Sequence, residues 1–137
     1  MYTNKMLILA LALMPVVALA QTGSYKVIFD ITSSDTVAQK AVIRQMRGIS
    51  QSRPDAQLEV AIYGDALPMV MKDKSIIADA VQELSGNKKA SFKVCGATMK
   101  RNNVDKTQLL PGVEVVPDAI YEIVTKQHEG WGYIKVM

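Results

Sequence analysis

Along the chain, short β-branched and aromatic runs alternate with stretches whose apolar residues recur every three or four positions. Tyr25-Lys26-Val27-Ile28-Phe29-Asp30-Ile31 suits a pleated, half-buried surface and predicts a first strand. It ends against Thr32-Ser33-Ser34-Asp35-Thr36, whose short oxygen-bearing side chains suit a helix cap. From Ser34 or Asp35 onward, Ala38, Val42, Met46 and Ile49 share one face, with Lys40, Arg44 and Arg47 mostly off it, which predicts an amphipathic helix. Arg53-Pro54-Asp55 marks a turn, Leu58 to Tyr63 reads as a second strand, and Gly64-Asp65 stops it. Ala66 to Met71 is an apolar connection broken by Pro68, better suited to filling the core than to forming a regular helix. Ile77, Ala80, Val81 and Leu84 then define one face of a second helix from Ser75 to Leu84, with Gly86 placed to end it.

In the second half, Phe92 and Val94 alternate with Ser91, Lys93 and Cys95 as a third strand, and Gly96 permits a sharp turn into a helical segment at Ala97 to Arg101. Asn102-Asn103 breaks that segment, and another helical turn fits between Asp105 and Leu110. Pro111-Gly112 is a turn and Val113 to Val116 a fourth strand. Pro117 fits the first position of a helix carrying Ile120, Ile123, Val124 and Gln127 and ending near Glu129-Gly130, before a last strand at Trp131 to Val136. Strands alternating with helices through short connections predict an α/β protein: a three-layer α/β/α sandwich on a mostly parallel five-stranded sheet with right-handed crossovers. The binding edge of such a sheet lies beyond the carboxyl ends of its strands. That edge gathers Cys95 with the crevice-lining candidates Asp30, Ser33, Gly64, Gly96 and Thr98, along with the Val116-Pro117 junction.

The first 20 residues do not follow this alternation. Lys5 supplies a positive n-region, Met6 to Val17 an apolar core, and Ala18-Leu19-Ala20 a small-x-small cleavage site before Gln21. About 14 apolar residues, interrupted by Pro15, fall short of the roughly 20 a spanning helix needs, so residues 1–20 read as a secretory signal peptide. No cysteine follows the apolar core, which argues against a lipoprotein anchor. The expectation is a periplasmic protein, free of the membrane after cleavage, whose residues 21–137 form one domain. Losing Lys5 lowers the formal net charge from +3 to about +2. Interspersed charges without an aromatic-rich basic stripe argue against nucleic acid.

Cys95 is the only cysteine, so within one chain it forms no disulfide and the fold rests on its apolar core. A thiol where a strand becomes a helix lies among free backbone N–H groups and the positive end of a helix dipole, both of which favour thiolate. The alternative is a small buried hydrophobe. His128, the only histidine, lies at the far end of a helix returning antiparallel to the strands, which argues against a Cys-His dyad. One histidine and one cysteine give no recognisable metal set. The Thr32 to Thr36 loop has no glycine, and no phosphate-binding glycine motif occurs, so no cofactor is expected. No serine nucleophile elbow is present.

Three segments resemble the DsrE/DsrF-like family: Phe92-Lys93-Val94-Cys95-Gly96-Ala97-Thr98-Met99, then Leu110-Pro111-Gly112-Val113 with Val116-Pro117, and Gln127-His128-Glu129-Gly130-Trp131-Gly132-Tyr133-Ile134. The chain looks like a small exported member. The resemblance implies a parallel five-stranded α/β/α sandwich, homo-oligomers such as trimers or hexamers, and a sulfur relay in which a cysteine persulfide at Cys95 exchanges sulfane sulfur with donor or acceptor proteins. Enzymatic turnover of a sulfurtransferase kind is an open expectation. The glycine that often follows the Val-Pro pair is replaced around Asp118-Ala119. Two functions stay open: a sulfur-relay protein using Cys95, and a non-enzymatic oligomeric binding module whose cysteine is structural.

Overall fold

The computed structural model describes residues 23–86 and 90–137. The expected signal peptide, its cleavage site and the Lys88-Lys89 loop lie outside the described residues. Five strands, β1 (Lys26–Ile31), β2 (Gln57–Ile62), β3 (Ala90–Cys95), β4 (Val113–Val116) and β5 (Gly132–Val136), form one sheet in the order β4-β3-β2-β1-β5. All four pairings are parallel, as the alternation of strands and helices predicts. The helices are α1 (Thr36–Ser52), α2 (Ala78–Gly86), α3 (Gly96–Arg101) and α4 (Ala119–His128).

The two faces of the sheet differ in chemistry because side chains alternate along each strand. One face sets Phe29, Ile31, Val60, Ile62, Phe92 and Val94 against Val42 and Met46 of α1 and Val81 and Leu84 of α2. Phe29 and Phe92 have no exposed surface, and full burial of such a side chain is worth roughly 1.5–3 kcal/mol. The Ala66 to Met71 connection fills this core as expected, but as a 3-10 helix over Gly64–Val70 with Ala66, Leu67, Met69 and Val70 buried. The short helix accommodates Pro68, whose missing N–H would interrupt a longer α-helical ladder.

The other face is covered by α4, with Ile28, Ala61 and Cys95 beneath Ala119 and Ile123. Here the strands carry Asp30, Glu59, Ser91, Lys93, Tyr133 and Lys135 rather than a continuous apolar set. One expectation for α4 is corrected. Pro117 is not its first residue; Asp118 is the cap, its Oδ1 accepting from the Ile120 and Tyr121 N–H groups at 2.7 and 3.2 Å. A carboxylate at that position satisfies amides that proline could not and complements the helix dipole. Of the apolar residues the helix carries, Ile123 is buried whereas Ile120 and Val124 are exposed.

The cap fixes where α4 begins, so Asp118→Ala should cost about 1 kcal/mol of stability, within the range for lost N-caps. Urea unfolding checks this, and a variant as stable as the parent would show that α4 does not depend on the Asp118 cap.

Candidate functional site

β3 ends at Cys95, which serves as the N-cap residue of α3 with its own side chain free of any capping bond. The thiol is 5% exposed. Gly96 explains how so crowded a position is built. A Cβ there would lie 3.1 Å from the Val116 carbonyl oxygen and 3.6 Å from that of Pro117, so any side chain would push the β4–α4 junction back by a few tenths of an ångström. The space beside Gly96 is therefore occupied by the β4–α4 backbone.

This approach brings the first turns of α3 and α4 together over one sulfur. Burial pushes the Cys95 thiol up, but the Ala119 amide, the Thr98 amide and hydroxyl, and the Ala97 amide outweigh it and hold the thiol below its ordinary value. Thr98 is fully buried, and its Oγ1 accepts from the Gly64 N–H and from the Arg101 guanidinium, each at 3.2 Å. Both acceptor positions of the hydroxyl are thereby used, and Thr98 contributes to holding the Cys95 thiol low. Gly64 and Thr98 thus meet beside Cys95 as the sequence suggested. Gly64 also lines a cavity of about 330 Å³ with Ser34, Leu67 and Asn102.

The nearby basic residues have other partners or face solvent. The Lys93 ammonium lies 2.8 Å from Glu114 Oε2, Lys100 is exposed, and Arg101 reaches the site only through Thr98. The thiolate is stabilised by backbone amides and one hydroxyl. Ser33 also stands apart, its Oγ accepting from the Asp35 N–H at 3.0 Å as part of the turn before α1. His128 ends α4, away from the α4 N-terminus that meets Cys95.

Asp30 belongs to a second polar group at the same edge of the sheet. It is 4% exposed and accepts from the Tyr133 hydroxyl at 2.5 Å and from Lys135 Nζ at 3.0 Å. Tyr133 is pushed up to about 12 by its hydrogen bond to Asp30, then by burial and by the Asp30 charge. Tyr63, between Asp30 and Cys95, is also pushed up to about 12, by burial first and then by the Asp30 charge and hydrogen bond. Both phenols are therefore neutral donors at physiological pH. The sequence reading missed Tyr133 and Lys135. Their signal was the charged and phenolic residues at alternate positions of β1 and β5, which a continuously apolar parallel strand would not carry.

No cluster of metal-ligating side chains occurs among the described residues. The sequence matches the DsrE/DsrF-like family over residues 17–136. The chain belongs to the DsrE/DsrF-like family. Among solved structures, it is similar to a protein of unknown function from Methanobacterium thermoautotrophicum, with 31% identity over 81% of this chain and 98% of that one and a TM-score of 0.77. The ychN protein of E. coli shares the fold, with a TM-score of 0.69 at 13% identity over 82% of this chain and 99% of its own. No curated protein matches the chain. This DsrE/DsrF-like protein carries Asp118-Ala119 where a glycine often stands. The structure shows what the departure retains: Asp118 caps α4 while the Ala119 amide still faces Cys95.

Thr98→Val removes the hydroxyl donor at nearly constant volume. The Cys95 thiol pKa should rise, and stability should fall by about 1–2 kcal/mol because the Gly64 N–H loses its acceptor. The pH dependence of iodoacetamide alkylation gives the pKa, and an unchanged value would remove Thr98 from the site.

Proposed function

We propose that this DsrE/DsrF-like protein binds or transfers sulfane sulfur in the periplasm as a persulfide on Cys95. The observation that carries this reading is the place of Cys95 where the first turns of α3 and α4 come together, surroundings that hold the thiol below its ordinary value despite its burial. Family membership supports the same chemistry. In the loading step, the Cys95 thiolate attacks the terminal sulfur of a polysulfide. A new S–S bond forms, one S–S bond of the donor breaks, and the shortened polysulfide leaves with the electron pair. The new terminal sulfur carries negative charge that the same donors stabilise. Discharge to a thiol acceptor reverses these roles.

Treatment with polysulfide should add one sulfur, about 32 Da, to the wild-type protein. The increment should disappear on treatment with dithiothreitol and be absent in Cys95→Ser. A second reading has its own support, since Cys95 is 5% exposed and packs with Ile28, Ala61 and Ile123. On that reading the protein is an oligomeric binding module and the cysteine is structural. Native protein that resists both alkylation and sulfur loading near neutral pH, while denatured protein alkylates normally, would establish it and end the relay proposal.

Self-association belongs to the same proposal. Ile120 and Val124, one helical turn apart on α4, are 52% and 45% exposed beside Tyr121, and β5 is an edge strand with Tyr133 and Ile134 partly open. Light scattering at high micromolar concentration should give an oligomer, and Ile120→Glu with Val124→Glu should shift it toward monomer. A strictly monomeric wild-type mass would refute this.

The periplasmic location rests on the charged, apolar and small-residue regions of residues 1–20. Mass spectrometry of the exported protein should find Gln21 as its first residue; a full-length chain in the membrane fraction would defeat the claim.

A further inference from the structure

The walls around Cys95 are unequal. In the register of β3 with β4, Cys95 stands beside Val116, where the β4–α4 backbone closes on Gly96. Ala119 and Ile123 of α4 pack on the same face, and the first turn of α3 begins directly after Cys95. Toward the amino end, Lys93 is tied to Glu114 at 2.8 Å. Close-packed backbone and buried side chains do not move without disturbing their neighbours. The flank toward β2 is different. Ile62 pairs with Val94, so one further step in the same register sets Tyr63 beside Cys95, on the face that α4 covers and about 4.8 Å away across the strands. Tyr63 packs against the Cys95 cluster but is only partly buried, so its ring stands between that cluster and solvent.

The backbone at this flank is fixed. The Tyr63 N–H donates to the Ile31 carbonyl at 3.3 Å, and the Gly64 N–H donates to Thr98 Oγ1 at 3.2 Å. What is free to turn is the side chain, and a partly exposed side chain changes rotamer readily unless something holds it. Two contacts hold this one: a hydrogen bond with Asp30, and the Lys135 ammonium 5.7 Å from the ring centroid. Asp30 and Lys135 are themselves paired at 3.0 Å, so one charged pair at the β1–β5 edge sets where the ring rests.

We propose that Tyr63 is the specificity-determining residue at the entrance to Cys95: its ring closes the flank toward β2, and a sulfur donor reaches Sγ only when the ring turns aside. The inference rests on the persulfide reading and names the way in that loading requires. Turning one side chain opens a slot rather than a broad groove, because the strands and both helices stay in place. A linear inorganic polysulfide fits such a slot, whereas sulfur carried on a bulky organic group is held back. The substrate class selected by size is therefore the small, unbranched sulfane anion. The loading step itself is unchanged, and the ring takes no part in breaking or forming the S–S bonds.

Two alkylating reagents of different size, iodoacetamide and N-phenylmaleimide, report access to Cys95 in the mature protein without involving sulfur transfer. Rates are compared where each variant's pH profile has levelled off, so that differences in thiol pKa drop out. A flank that is mostly closed slows the reaction by the fraction of time it is open, so Tyr63→Ala should speed iodoacetamide about tenfold or more and N-phenylmaleimide by a larger factor. Tyr63→Phe keeps the ring and loses the bond to Asp30, so its rates should fall between those of the wild type and Tyr63→Ala. These gains should not change with urea well below the unfolding transition, whereas access through global unfolding rises with urea from the start. The proposal is overturned if Tyr63→Ala reacts no faster than the wild type, if both reagents gain equally, or if the gain grows with urea. Should Tyr63→Ala fail to fold, Tyr63→Phe decides, and rates equal to the wild type overturn the proposal. Polysulfide loading is measured separately by mass. A Tyr63→Ala protein that alkylates faster but gains no sulfur upholds the entrance and ends the persulfide reading, so the two failures are distinct.

Discussion

The approach of Gly96 to the Val116 carbonyl is the contact on which the α4 face of the sheet depends. Two adjacent parallel strands each turn into a helix at the same edge, and their junctions cannot come together if a side chain stands between them. With glycine at position 96, a Cβ there would meet the Val116 oxygen at 3.1 Å, so the β4–α4 backbone fills the place a side chain would take. The first turns of α3 and α4 then share a space, and their unpaired amides point at Cys95. Asp118 satisfies the next amides of α4, leaving Ala119 for the sulfur. The low thiol pKa is thus a property of backbone geometry, and surface cations contribute little to it.

The same helix has to cover a sheet face that is not apolar. On the opposite face, α1 and α2 seal aliphatic and aromatic side chains, and no ionisable group lies in that cluster. Beneath α4, burial falls on carboxylates, and the two most buried differ in how they are treated. Asp30 has a lysine and a phenol within hydrogen-bond distance, with Tyr63 close by. Glu59 has one long hydroxyl contact, a second glutamate, Glu122, as hydrogen-bond partner, and a lysine shared with Glu122 and Glu129. Removing a buried charge from water requires full compensation, which Asp30 receives and Glu59 does not. Near the carboxyl ends of the strands the face is therefore electrostatically closed, while toward the amino ends it is left open.

Features encoded by local pattern were legible in the sequence. Strand and helix positions follow from periods of two and of three to four residues, and parallel order follows from their alternation. Cys95, Gly96 and Thr98 are contiguous, so their association needed no tertiary information. What escaped depends on contacts between distant segments. Glu59 and Lys126 stand 67 positions apart and meet only because α4 crosses β2. Asp30 and Tyr133 are separated by 103 positions and meet because β5 returns to pair with β1. The exposure of Ile120 and Val124 was hidden for a related reason: helical spacing defines a face, but the neighbouring elements decide whether it is covered. Pro117 misled because proline suits a first helical turn, yet the aspartate beside it offers the stronger cap.

Stabilising a thiolate and exposing it are separate requirements, and the structure meets them unequally. Amides can stabilise the sulfur strongly only if water is kept from competing, which the 5% exposure of Cys95 achieves. A persulfide changes that balance, because its outer sulfur lies about 2 Å beyond Sγ, one S–S bond length further from the buried anchor. The inner sulfur would keep the packing of Cys95 against Ile28, Ala61 and Ile123, with the reactive one set a bond length further out. Transfer to a partner protein requires access to the outer sulfur alone, and the enclosing helices protect the inner one from reduction. Burial and a relay function are therefore compatible on geometric grounds. Loading is the demanding step, since the incoming sulfur must reach Sγ past the groups that enclose it.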